Sequence, residues 1–133
     1  MSKKEIKDGE LKEKVALMLD EARELRLTIT KCNEQLDELA GEIGNRKHRH
    51  ADVSGYVRQA LLETESEIKE EAVMAWVIEN TTLAAEIADL VDKRVEVEIA
   101  RTNAEQRLEE LTDKLARGLD LDDDDDNDDG KFW

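Results

Sequence analysis

Proline is missing altogether, aromatic residues make up 3% of the chain, and cysteine occurs once. Each shortage excludes something. A small-molecule enzyme needs a concave pocket with mixed apolar and aromatic walls, and few residues here could build one. Cys32 has no partner for a disulfide within the chain. No apolar run approaches the roughly 18 residues of a membrane span. The opening residues Met1 to Lys7 lack the apolar core of a secretion signal. There is no phosphate-binding glycine loop, no nucleophile elbow and no paired cysteines. The expectation is a soluble, cytoplasmic protein that is not an enzyme and uses no cofactor and no metal.

What the chain has is charge and helical periodicity. Charged residues are 41% of its 133 positions and the formal net charge is -15. From Leu11 the apolar positions are Val15, Met18, Ala22, Leu25, Ile29, Cys32, Leu36, Leu39 and Ile43. The steps alternate four and three without a slip. That spacing keeps one narrow stripe facing a partner helix, the mark of a coiled-coil seam. In heptad terms Val15, Ala22, Ile29, Leu36 and Ile43 take a, and Leu11, Met18, Leu25, Cys32 and Leu39 take d. Cys32 therefore reads as a small buried hydrophobe. Leu17, Leu19 and Leu27 lie off the seam and ask for additional neighbours.

The pattern predicts a frayed lead-in over 1–10, where Gly9 weakens helix, and a coiled-coil domain over 11–118. Gly41 and Gly44-Asn45 read as a helix stop, followed by a basic connection over 44–55 where the chain reverses. Asp52 or Ser54 would cap the next helix. Helix two is expected from Tyr56. It holds seven consecutive apolar residues, Ala72 to Ile78, a run that predicts cover on all sides. Asn80-Thr81-Thr82 favours caps and turns. It could start a third helix or be carried within one long helix, and a kinked or continuous helix is the preferred reading.

A second frame follows through Leu83, Ile87, Leu90, Arg94, Val97, Arg101, Ala104, Leu108, Leu111 and Leu115. Arginine at the a positions 94 and 101 lowers stability but fixes register and strand number. Glu98 and Glu105 lie four residues on, within pairing reach. The parallel stripe Ala84, Ala88, Val91, Val95 and Ile99 asks for a further neighbour. The fold class is thus all-α: an elongated helical hairpin or coiled coil, with a three-helix arrangement as the alternative, assembled as a homo-oligomer. Leu25, Ile29, Leu36, Leu90, Arg94 and Arg101 are the seam residues expected to matter most.

Charge is unevenly placed. Residues 44–58 carry four positive side chains, Arg46, Lys47, Arg49 and Arg58, against the single negative Asp52. This basic island could bind nucleic acid or an acidic partner, or receive the chain's own acidic tail. No aromatic platform but Tyr56 accompanies it, so direct nucleic-acid binding is not expected. His48 and His50 with Asp52 are metal-capable, but lack a fourth ligand.

The last segment, 119–133, holds Asp122, Asp123, Asp124, Asp125, Asp126, Asp128 and Asp129 and closes on Phe132-Trp133. So dense a block of like charge repels itself and is expected to be disordered. This segment, and it alone, resembles the acidic, aromatic-ended tail of bacterial and phage single-stranded-DNA-binding proteins. The resemblance implies a hook: aspartates steer towards a basic surface, and Phe132 and Trp133 fill an apolar pocket beside it. Acidic helix faces at Glu63 to Glu71 and Glu96 to Asp113 could also stand in for duplex phosphates. The functional expectation is a coiled-coil accessory or inhibitor of nucleic-acid-processing machinery, with a basic protein surface as its partner. A phage origin would place it in the host cytoplasm. The competing expectation is a structural assembly protein, such as a phage capsid scaffold or a helical spacer.

Overall fold

A computed structural model describes residues 3–63 and 69–119, with side chains from Gly9 onward. Among these the structure is two helices packed together, α1 (Lys3–Leu62, 60 residues) and α2 (Glu70–Arg117, 48 residues), with no strand. The chain divides into two compact units. One comprises Met1–Thr30 with Arg101–Trp133 and the other Lys31–Ala100.

In the Lys31–Ala100 unit the buried side chains are Cys32, Ile43, Val53 and Leu90. The helices run antiparallel: Arg46 meets Glu86, while Arg49, further along α1, meets Glu79, earlier on α2. In the other unit Ala104 and Leu111 are buried, and Glu21 on α1 meets Arg107 on α2. Cys32 fills a seam position as a free thiol, as its d place in the heptad predicts.

The reversal expected at 44–55 does not occur. The α1 helix passes straight through the basic island, and the helices are joined after Leu62. The seam explains why. Its frame continues beyond Ile43 through Arg46, His50, Val53, Val57 and Ala60, all of them half-buried or buried. Gly41, Gly44 and Gly55 inside this stretch cost about 1 kcal/mol each relative to alanine, less than the loss of the roughly four turns of packed seam beyond Ile43 would cost. The only residue with positive φ among those described is Gly118, at +89°. There a glycine is needed, because it lets the chain leave α2 in a left-handed turn. Its N–H donates to the Leu115 carbonyl at 3.3 Å. The lead-in differs too, since α1 is already helical from Lys3 and carries Gly9 inside it.

No third helix begins at Asn80-Thr82, and α2 is unbroken there. Thr81 Oγ1 donates to the Val77 carbonyl one turn back at 2.8 Å. That bond satisfies the hydroxyl without leaving the helix. Asn80 points into the seam, whose frame on α2 extends backwards through Val73, Trp76 and Asn80 to Leu83. Acidic Glu70 and Glu71 occupy the first turn of α2 and basic Lys114 and Arg117 its last, each complementing the helix dipole. The apolar run 72–78 is not enclosed: Met74, Val77 and Ile78 stand exposed.

Candidate functional site

The residues with the most chemistry lie in the Lys31–Ala100 unit, where the basic island of α1 faces the first half of α2. Arg49 closes a two-pronged pair with Glu79, Nε to Oε2 at 2.6 Å and Nη2 to Oε1 at 3.1 Å. Hydrogen bonding to Arg49 holds the Glu79 carboxyl below its ordinary range, against a smaller opposing effect of burial. The Arg49 guanidinium also sits 5.8 Å from the centre of the Tyr56 ring, within range of a cation–π attraction. Tyr56 in turn tilts against Trp76 at 5.7 Å between ring centres, a favourable spacing for an aromatic pair. Arg46 donates from Nε to Glu86 at 3.0 Å and lies near Glu42 on its own helix.

Half of the basic patch is therefore engaged within the chain. Arg46 and Arg49 hold the two helices in register, and Lys47 and Arg58 remain exposed on α1. A heptad reading through residue 60 would have placed Arg46 at d. The cations of the island overlie a periodicity that continues beneath them. His48 and His50 fall on different faces: His48 is exposed near Asp52, Nε2 to Oδ2 at 3.6 Å, and His50 is half-buried in the seam.

Opposite His50 lies a polar layer that composition gave no hint of. The Asn80 amide donates to the His50 carbonyl at 3.3 Å and to Ser54 Oγ at 3.0 Å, while its own Oδ1 is enclosed with no protein partner. Beside this layer runs an open groove of about 630 Å³, lined chiefly by Val57, Arg58 and Leu61 from α1 and Val77, Asn80 and Ala84 from α2. Its walls offer packing and a few donors. Asn80 is the seam residue that positions the two helices at this level.

In the other unit Arg107 grips Glu21 in the same two-pronged way, at 2.7 and 3.2 Å, and also reaches Glu110. Hydrogen bonding to Arg107 lowers the Glu21 carboxyl, and Glu21 in return raises the guanidinium. A smaller groove near the end of α2 is basic at its rim, with Lys14, Lys114 and Arg117 around Leu17, Met18 and Leu119.

Of the expected seam residues, Leu90 is buried and Leu25, Ile29, Leu36, Arg94 and Arg101 are half-buried. Glu96 and Glu98 are exposed on α2, as are Glu105, Glu109, Glu110 and Asp113. The acidic tail from Asp120 to Trp133 and residues 64–68 of the other acidic stretch lie outside the described residues. Among the described residues no helix is long and apolar enough to cross a membrane. No group of three or more metal-capable side chains occurs among them. No known protein family, curated protein or solved structure matches this chain.

Proposed function

We propose that this chain is a non-enzymatic coiled-coil interaction protein that binds a protein partner through a basic surface on that partner. Its acidic tail, 119–133, is the hook, and the acidic faces of α2 extend the attraction. The observation that carries the reading is the engagement of the arginines. Arg46, Arg49 and Arg107 each bond to a glutamate on the other helix. Each pair takes up one charge of either sign, so the surplus of -15 stays outside these pairs. A surplus of one sign raises the encounter rate with the opposite sign and suppresses association with nucleic acid. Enzymes that process nucleic acid carry the basic grooves that such a surface fits, so an accessory or inhibitory role towards them is the best match.

Deleting 119–133 and measuring binding to purified nucleases, helicases and polymerases tests the hook. Loss of binding with the assembly size unchanged is the expected result, and binding that survives the deletion refutes it. For mimicry of duplex phosphates, binding should weaken steeply with salt and compete with duplex DNA. Salt-independent binding would exclude that variant.

A second reading, a structural assembly protein, is favoured by a different observation. Eleven large hydrophobic side chains stand exposed among the described residues, including Leu17, Leu27, Met74, Val77, Val95 and Ile99. Two helices alone leave too much apolar surface in water for a stable isolated chain, and self-association is the means of covering it.

A further inference from the structure

The α2 helix carries two seams. The first runs through Val73, Trp76, Asn80, Leu83, Ile87 and Leu90 and lies against α1. A second begins one residue later: Met74, Val77 and Thr81 lead to Ala84, and Ala88, Val91 and Val95 follow. Its steps are also strictly three and four. No charged residue occupies any of its seven positions, and Glu70 and Glu98 bound it. The sequence shows a helix with two adjacent seams, which is how a helix packs between two neighbours. Within its unit the structure supplies only the first neighbour. Met74 is 61% exposed, Val77 46% and Val95 45%. The groove beside Val77 and Ala84 is open to solvent along this same face.

We propose that this second seam is a self-association face, covered by the same seam of a second copy running antiparallel with its two-fold axis at Ala84. The inference rests on the self-association suggested above and adds the surface and the direction.

Two features select a second copy. The seam is graded in size about its centre, with Met74 and Val77 at one end, Val91 and Val95 at the other, and Thr81, Ala84 and Ala88 between. Turned about Ala84, each bulky residue meets a bulky one and the small residues meet each other, so two helix backbones can approach closely at the crossing. A surface that complements itself under a two-fold rotation is what an isologous dimer requires. The seam's freedom from charge is the second feature, because it leaves no buried ion to compensate.

The full chain tests this in two stages. Sedimentation across a concentration range should give the dimer mass, and a monomer at every concentration refutes both self-association and the face. In a Cys32→Ser background, Ala84→Cys should then form a disulfide-linked dimer under mild oxidation, since a two-fold axis there puts the two Cα atoms within the roughly 4.4–6.8 Å a disulfide spans. A dimer by sedimentation that fails to cross-link at position 84 refutes the face while self-association stands. Mixing Met74→Cys and Val95→Cys proteins, both lacking Cys32, reads the direction. Cross-links between the two variants are expected, and links of Met74→Cys to itself overturn the antiparallel arrangement. Ala84→Glu, at an exposed position, should keep its helical circular dichroism and weaken dimerisation by about a hundredfold or more. Undiminished dimerisation of that variant also refutes the face.

Discussion

At the scale of single residues, fully enclosed side chains are rare in this fold and correspondingly costly to lose. Leu111 is 1% exposed and Leu17 is 69% exposed, although both are leucines on amphipathic helices. Truncating a buried leucine removes its transfer energy and leaves a cavity, so Leu111→Ala should destabilise by about 2–5 kcal/mol. Leu17→Ala should stay within about 0.5 kcal/mol of the parent. Urea unfolding of the two variants side by side checks the contrast. The ion pairs give a pH signature instead. Arg49 lowers the Glu79 pKa in the folded chain. Its contribution is therefore complete above the unfolded carboxylate pKa and is lost as pH falls through the lower, folded value. Glu79→Gln should melt below the parent at pH 7, and the gap should close as the pH is taken below the usual carboxylate range. A gap that stays constant with pH would mean that the pair contributes by shape rather than by charge.

At the scale of elements, the helical class and both seams could be read from the sequence, because a 3.5-residue period survives occasional polar substitutions. The boundaries could not. Gly41, Gly44 and the dense cations looked like a turn, yet Arg46 and His50 hold d and a places in an unbroken frame. Local propensity favoured a stop, and packing against α2 prevailed. Gly41 and Gly55 are left as helix-interior glycines with nothing within 4 Å of an added Cβ. Each change to alanine should stabilise by about 0.5–1 kcal/mol, measurable as a raised thermal midpoint. The polar layer was equally hidden, since Asn80 in a run of Asn and Thr looks like a cap until the seam is extended back to it. The Asn80 Oδ1 is enclosed without a partner, which carries a desolvation cost of about 1–3 kcal/mol. Asn80→Leu should therefore raise the thermal midpoint while loosening register. A lowered midpoint would show that the two bonds the amide donates outweigh that cost. The exposure of Met74, Val77 and Ile78 is hidden in the sequence for another reason. Continuous apolar sequence says that a helix is covered, but does not say by which chain.

At the scale of the whole molecule, the pairing pattern orders contacts by how much chain they enclose. In the Lys31–Ala100 unit Ser54 and Asn80 are 26 residues apart in sequence, while Glu21 and Arg107 in the other unit are 86 apart. Closing the longer loop directly costs about 1 kcal/mol more in chain entropy, since the penalty grows with the logarithm of length. Once the 31–100 contacts have formed, most of that difference has already been met. Folding should therefore proceed like a zipper, from the contacts nearest the joint between α1 and α2 outwards, and opening should run in reverse. Amide hydrogen exchange should show the longest protection around Ile43, Val53 and Leu90 and earlier exchange in residues 3–30 and 101–117. Uniform protection across both units would mean a single cooperative opening. A zipper of this kind lets residues 3–30 and 101–117 part and re-pair while the Lys31–Ala100 unit stays folded. How often those segments open is then governed by sequence distance as well as by packing.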